Sequence, residues 1–163
     1  MVGAHSREKN ILQERLIEDQ LCLIVPARHP WSGMQKVVLD QLRNEPFIVR
    51  ERGSGTLASI QESLGRRGLG IEELNIVAEM GSTEAVRQGI KDGIGVSILS
   101  TLALAEDLES GALKALSIDG LVLTRSLHIT RHRQRSLSPL SAAFVAFLKA
   151  SCSENGGPTD NHL

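Results

Sequence analysis

The stretch PFIVRERGSGTLASIQESL, residues 46–64, decides the fold. The run PFIVRE (46–51) reads as a short buried strand, and Leu57, Ile60 and Leu64 recur at the helical spacing i, i+3, i+7. Between them lies a turn of two glycines, a serine and a threonine, Gly53 to Thr56. Two interpretations of this turn stay open: helix capping by Ser or Thr, or an anion cradle of free backbone N–H groups.

The same order of strand, small-residue turn and helix continues on both sides of this stretch. Because parallel strands need crossover connections, the alternation predicts an α/β fold with a mostly parallel sheet and helices on both faces. Ser82 or Thr83 is predicted to cap one helix and Ser100 another, and Ser138 with Pro139 to begin the last. Strands are predicted at 20–31 (stopped by Pro26 and Pro30), 74–80, 94–100, 113–120 and 121–131, and helices at 81–93, 101–111 and from 138 onward.

Composition excludes several classes of function. The 163 residues are 41% apolar but only 2% aromatic, and the net charge is -1. A base-stacking platform or a basic nucleic-acid footprint is therefore not expected. Cys22 and Cys152 have no metal-ligand spacing, and no stretch reaches the ~20 apolar residues of a membrane span. We therefore predict a cytoplasmic protein with no membrane association, no metal and no cofactor.

Three turns rich in small hydroxyl residues carry the candidate site: Gly53 to Thr56, Gly81 to Thr83, and Ser97 to Thr101. Each follows a predicted strand, and ligands of open α/β sheets sit beyond the carboxyl ends of the strands. The turns are therefore expected at one edge of the sheet. Helix N-termini bearing Ser and Thr suit a small carboxylate, sulfate or phosphate, and Arg50 and Arg52 are placed to assist anion binding.

The chain contains no P-loop, zinc-protease helix motif or nucleophile elbow. An enzyme of this fold would need a titratable pair near the hydroxyl-rich edge, and Glu79 and Glu84 are the only candidates. Glu84 is more simply explained as a partner of its helix dipole. The acid-free, arginine-rich run at 124–135 reads either as a strand end with a solvated loop or as a contact face for a partner or anion.

Four segments taken in order resemble the effector-binding domain of LysR-type transcriptional regulators, over residues 2–150. The resemblance implies a type 2 periplasmic-binding-protein-like fold whose interlobe cleft binds a small metabolite, often an anion. It also implies head-to-tail pairing of such domains in a homodimer or higher homo-oligomer. The segments are LIVPARHPW, EPFIVRERGSGTLASIQESL, NIVAEMGSTEAVRQGIKDGIGVSILS and LHITRHRQRSLSPLSAAFVAFL.

The resemblance also implies a division of the chain. Residues 1–22 would be a remnant of the first lobe, 23–120 a complete second lobe, and 121–150 the return to a partial first lobe. Residues 151–163 lack periodicity and are predicted to be a disordered tail. Carried over residue by residue, the likeness assigns effector contacts to Ser54, Gly55, Thr56, Gly81, Ser82 and Thr83, and places Pro26 and Ala27 along the hinge.

The predicted function is therefore the sensing of a small anionic effector for a transcription factor, without enzymatic activity. A regulator of this family binds DNA through a winged helix-turn-helix, and no such segment is found in this sequence. The alternative is a solute-binding protein of the same fold that serves a transporter. The lack of an export signal or lipid-anchor cysteine near the start argues against it.

Overall fold

The computed structural model describes residues 10–155. Most of its helices and strands follow the predicted alternation, and short 3₁₀ turns lie at Ile71–Glu73 and Leu102–Leu104. The first strand begins at Ile11 rather than at residue 20, and the strand Lys36–Val37 and the helix Leu39–Asn44 were not predicted. The strands are β1 (Ile11–Pro26), β2 (Lys36–Val37), β3 (Phe47–Arg50), β4 (Ile76–Met80), β5 (Ser97–Ser100), β6 (Leu113–Ile118) and β7 (Thr124–His132). The helices are α1 (Leu39–Asn44), α2 (Gly55–Gly65), α3 (Thr83–Asp92), α4 (Ala105–Glu109) and α5 (Pro139–Asn155).

The described residues form two compact units. The central unit is Asp19–Arg125, and the terminal unit combines residues 10–18 with 126–155. The chain enters the central unit along β1 and leaves it along β7. These limits lie four residues before the predicted start of the second lobe at Leu23 and five after its predicted end at Gly120. The assignment of the units to the family's lobes stays a prediction.

Strand β1 organises the core of the central unit because its side chains alternate between two faces. Leu21, Leu23 and Val25 join an apolar cluster with the buried residues of α2. Cys22 and Ile24 join a second cluster with the buried residues of α3. Burial raises the pKa of the Cys22 thiol. The two helices therefore cover opposite faces, as the alternating sequence predicts.

The sheet arrangement confirms the α/β class and differs from the prediction in one respect. β1 pairs antiparallel with both β5 and β6, whereas β2 with β6 and β3 with β4 are parallel. A parallel bridge from Phe47 to Val96 links β3 to the start of β5. The sheet is thus mixed rather than mostly parallel. The order of the strands along the chain does not fix which strands are neighbours in the sheet. Here β1 lies between β5 and β6, which come much later in the sequence.

Two glycines hold α3 and β5 in place. Gly93 ends α3 with φ +79°, in the left-handed region where a side chain is strained. At Gly95, an added Cβ would stand 2.5 Å from the carbonyl oxygen of Pro46. The segments leading into β3 and β5 therefore pass in close contact, which keeps the amino ends of these strands together.

Two local predictions are wrong. Ser100 does not cap the following helix: its hydroxyl donates to Asp19, and a 3₁₀ turn precedes α4. The tail is not disordered from residue 151, because α5 continues to Asn155. Extending an existing helix adds one hydrogen bond per residue, and no glycine interrupts it before Gly156. Residues 1–9 and 156–163 lie outside the described residues, so the predictions made for them are not addressed.

The terminal unit contains the pairing of β1 with β7 and helix α5. The predicted N-cap of α5 is confirmed, since the Ser138 hydroxyl accepts from the backbone N–H of Ser141 at 3.2 Å. The helical spacing of Leu140, Phe144 and Phe147 in the sequence predicts an apolar stripe that packs on a core, but all three side chains are exposed. Within the described part of the chain these side chains do not join a core.

Candidate functional site

The first candidate turn leads from β3 into α2. Gly53 adopts φ +92°, and the backbone N–H of Ser54 donates to the carbonyl of Glu51 at 3.1 Å. This tight turn reverses the chain so that Ser54 becomes the N-cap residue of α2. Gly53 is therefore required by its positive φ rather than by any approach of a ligand.

Ser54 caps α2 through its backbone but not through its side chain. The residue is only 8% exposed, and no described group hydrogen-bonds its hydroxyl, whose oxygen is not fully buried. The hydroxyl is therefore free to donate at the surface of the turn. Of the two interpretations of this turn, side-chain capping by Ser54 is wrong.

The first turn of α2 adds further free donors. The backbone N–H groups of Gly55, Thr56 and Leu57 have no acceptor among the described residues. These groups carry the positive end of the helix dipole. Together with the Ser54 hydroxyl, they form a set of hydrogen-bond donors without a formal charge.

Thr56 is tied to a buried ion pair. Its hydroxyl accepts from Nη1 of Arg125 at 3.1 Å. The Arg125 guanidinium also contacts Oδ2 of Asp19 through Nε at 2.8 Å and Nη2 at 2.7 Å. Asp19 is 1% exposed and the Arg125 side chain 17%, and the other carboxylate oxygen of Asp19 accepts from the Ser100 hydroxyl at 2.6 Å. This network joins the start of α2 to the end of β5.

The second candidate turn leads from β4 into α3. Ser82 is the N-cap, and its hydroxyl accepts from the backbone N–H of Ala85 at 3.1 Å, so the capping prediction is confirmed. The hydroxyl of the next residue, Thr83, accepts from Nη1 of Arg50 at 2.7 Å. Gly81 is exposed and has open space around its Cα.

Arg50 is itself neutralised by its neighbour. Nε and Nη2 of Arg50 donate to the two carboxylate oxygens of Glu51 at 2.7 and 2.8 Å. These hydrogen bonds lower the pKa of Glu51. Arg52 is exposed and makes no ion pair within the described residues. Of the two arginines predicted to assist anion binding, Arg50 is therefore already paired with Glu51. Arg52 makes no ion pair within the described residues and so is not held at the turn.

The structure brings the three turns to one edge, as expected. Thr56 and Ser100 share the Asp19–Arg125 pair, and Arg50 at the end of β3 reaches Thr83. β3 and β4 are adjacent parallel strands, so α2 and α3 begin at the same sheet edge. Ser97, in contrast, is buried and donates to the carbonyl of Ile48 at 2.7 Å, which is a contact within the core.

Pro26 and Ala27 are not brought together with these turns. Pro26 lies seven positions after Asp19 along extended β1, which is about 23 Å at the usual rise per strand residue. Pro26 and Ala27 instead line an open depression with Arg28, Lys91 and Ala112. Their assignment to the hinge stays a prediction.

A second charged cluster anchors α3 to α4. Nη1 of Arg87 contacts the buried carboxylate of Asp107 at 2.7 Å, and Lys91 contacts its other oxygen. The hydrogen bonds from Lys91 and then Arg87 lower the pKa of Asp107. Arg87 also binds both oxygens of Glu84, which lowers the pKa of Glu84. An ionised, paired Glu84 is not poised as a general acid.

Four residues of this site were not predicted from the sequence. They are Asp19, Glu51, Ser100 in its role as a side-chain partner of Asp19, and Arg125, which was noted only as part of the basic run 124–135. The sequence contains only a weak indication of the role of Asp19: an acidic residue close to the apolar run LCLIV must find a partner if it is buried. Its partner lies 106 residues away. No local pattern could have supplied that pairing.

In the central unit, α2 and α3 begin at one edge of a mixed α/β fold, and this fold is of the type 2 periplasmic-binding-protein-like class. The chain belongs to the LysR substrate binding domain family, whose family model matches residues 1–153. No helix among residues 10–155 is both long and apolar enough to cross a membrane.

Two curated relatives show the extent of the similarity. The chain is 34% identical over 134 residues to the HTH-type transcriptional activator CmpR of Synechocystis, covering 82% of this chain and 43% of that protein. It is 30% identical over 148 residues to the RuBisCO operon transcriptional regulator of Allochromatium vinosum, covering 91% of this chain and 48% of that protein. The chain thus spans about half the length of these relatives.

Solved structures agree in fold. The regulatory domain of CcmR from Synechocystis, in complex with 2-PG, superposes with a TM-score of 0.82 at 27% identity, covering 96% of this chain and 74% of that one. The effector-binding domain of QuiR, in complex with shikimate, superposes with a TM-score of 0.78 at 19% identity, covering 95% of this chain and 71% of that one. The second similarity shows the shared fold alone.

Proposed function

We propose that this chain is the effector-sensing part of a LysR-type DNA-binding transcriptional regulator, and that it binds a small anion at the first turns of α2 and α3. Family membership and the regulators among its relatives support the regulatory role. The bound 2-PG of the CcmR regulatory domain supports a small-molecule effector. Neither the family model nor these relatives supports a transporter's solute-binding protein.

One observation carries the choice of site: the hydroxyl of Ser54, a residue that is only 8% exposed, has no partner among the described residues. It lies beside three free backbone N–H groups at a helix N-terminus, where an oxyanion is favoured. The nearby arginines are balanced by carboxylates, so hydroxyl and N–H donors are left to bind the ligand. A small carboxylate, sulfate or phosphate group matches this donor set.

In the intact regulator, the effector would act by population shift. A ligand that binds one arrangement of the sensing domain more tightly than another favours that arrangement by its difference in affinity. We propose a cytoplasmic homodimer or higher homo-oligomer that contacts DNA through a separate helix-turn-helix segment and has no enzymatic activity of its own.

Two serines of α2 provide the test. Calorimetric titration of the 163-residue chain with sulfate, inorganic phosphate, small carboxylates and 2-PG identifies the compounds that bind. Ser54→Ala should then lower the affinity at least about tenfold, because a hydrogen bond to a charged group is lost. It should change the free energy of unfolding little, because this hydroxyl makes no cap hydrogen bond.

Ser63→Ala is the matched control. Ser63 is buried to the same extent, but its hydroxyl donates to the carbonyl of Val122 at 3.3 Å. Its removal should cost about 1 kcal/mol of stability and leave the affinity unchanged. If Ser54→Ala retains full affinity for every compound that binds, or if no compound binds, the proposed site is wrong.

A further inference from the structure

Two threonines at the candidate site share one arrangement. Thr56 is the second residue of α2 and Thr83 the first of α3. Each hydroxyl oxygen receives a hydrogen bond from the Nη1 atom of an arginine, Arg125 at 3.1 Å and Arg50 at 2.7 Å. Each arginine is in turn held by a carboxylate, Asp19 or Glu51. The same chain of carboxylate, guanidinium and hydroxyl thus occurs twice at one sheet edge.

The direction of these hydrogen bonds is fixed by chemistry. A guanidinium has five N–H donors and no acceptor, so each threonine oxygen must be the acceptor. A hydroxyl has a single hydrogen, and no acceptor for the hydrogen of Thr56 or Thr83 is found among the described residues. Both hydroxyls are therefore left with a hydrogen to donate and with reduced capacity to accept.

The arginines themselves are restrained. Arg125 makes two contacts to one oxygen of Asp19, while Ser100 holds the other oxygen. Arg50 binds both oxygens of Glu51. Because each positive charge is already balanced, the arginines orient the threonines rather than offer a free cation. The unpartnered Ser54 hydroxyl lies two residues before Thr56 and adds an unassigned donor.

We propose that Arg125 and Arg50 are positioning residues that make Thr56 and Thr83 hydrogen-bond donors, so that the site selects ionised carboxylate, sulfate or phosphate oxygens over ligand groups that donate. This inference rests on the proposed function and adds the residues that set its specificity. An ammonium or N–H group of a ligand would face donors on every side, whereas an anionic oxygen accepts from all of them.

Double-mutant cycles measured by calorimetric titration test this inference. The probes are sulfate, inorganic phosphate and 2-PG, applied to the full 163-residue chain. One cycle combines Thr83→Val with Arg50→Met. The other combines Thr56→Val with the pair Asp19→Asn and Arg125→Met, which removes both buried charges together. Thr→Ser at each position is the conservative control, since it keeps the hydroxyl.

Each Thr→Val change should lower affinity at least about tenfold in the parent chain, because a donor to a charged ligand is removed. In the background that lacks the arginine, the same change should cost less than about twofold, because the hydroxyl is no longer oriented as a donor. The Thr→Ser variants should bind within about threefold of the parent. Denaturation monitored by circular dichroism confirms that each variant is folded.

If a Thr→Val change lowers the affinity by the same factor in the parent chain and in the background that lacks the arginine, the arginines do not act through the threonines. That outcome overturns this inference and leaves the proposed site intact, as long as Ser54→Ala still weakens binding. Unchanged affinity in both Thr→Val variants overturns it as well. If no probe binds the parent chain, both proposals are wrong. The Arg50–Thr83 cycle decides alone if the Asp19/Arg125 variant does not fold, because the Arg50–Glu51 pair is more exposed.

Discussion

Replacing Arg125 by alanine should destabilise the chain strongly. The carboxylate of Asp19 is 1% exposed and would lose both contacts to the guanidinium, at 2.7 and 2.8 Å. Removing one partner of a buried ion pair typically costs about 3–5 kcal/mol, because the remaining charge is buried without compensation. Asp19 would keep the hydrogen bond from Ser100 at 2.6 Å. We therefore expect a loss at the lower end of this range, about 3 kcal/mol.

The assay is urea denaturation at neutral pH, with the free energy of unfolding obtained by linear extrapolation. Arg66→Ala is the matched control. Arg66 contacts Glu62 at 2.5 Å, but both side chains are 67% exposed. Exposed pairs contribute about 0–1 kcal/mol, so this variant should unfold almost as the parent does. Both variants remove an arginine that lies within hydrogen-bonding distance of a carboxylate. The difference between their free energies of unfolding therefore measures the effect of burial. A loss under about 1 kcal/mol at neutral pH in the Arg125→Ala variant would refute the reasoning, since only an exposed pair is that weak.

Two further changes have defined outcomes. Ser82→Ala should cost about 1 kcal/mol in urea denaturation, because its hydroxyl caps α3 through Ala85. Ser82→Asp should restore most of that stability, and equal losses in both variants would contradict the capping role. Asp107→Asn tests the α3–α4 anchor. Because the native pKa of Asp107 is lowered, its contribution is complete above the unfolded pKa of about 3.9 and is lost as the pH falls below it. The stability difference from the parent should therefore shrink in acid, whereas the exposed Glu106→Gln control should show little difference at neutral pH.

Most elements of the fold could be predicted from the sequence, whereas β2 and α1 were not predicted. The helical spacing of Leu57, Ile60 and Leu64 predicted α2, and the apolar run LCLIV predicted the buried part of β1. Both predictions were possible because the spacing of apolar residues indicates which face of a helix or strand is buried. Ser82 and Ser138 were predictable as caps because a capping bond joins residues only three positions apart. The motifs also carried the resemblance to the family to which the chain belongs.

The site's contacts could not be predicted in this way. Ser54 and Ser82 have the same local context, a serine before a helix, yet only Ser82 caps with its side chain. Ser100 was predicted as a cap and instead donates to Asp19. In each case, the hydroxyl's partner depends on which other groups the packed sheet brings within about 3 Å.

By itself, the sequence determined where most strands and helices form, which side chains of α2 and β1 make the core of the central unit and where the hydroxyl-rich turns occur. These properties depend on short-range spacing along the chain. Only the tertiary structure decided that β1 lies between β5 and β6, and that Asp19 meets Ser100 and Arg125 at separations of 81 and 106 residues. Hydrogen bonds and ion pairs act over a few ångströms in space, so their partners are fixed by strand order and register.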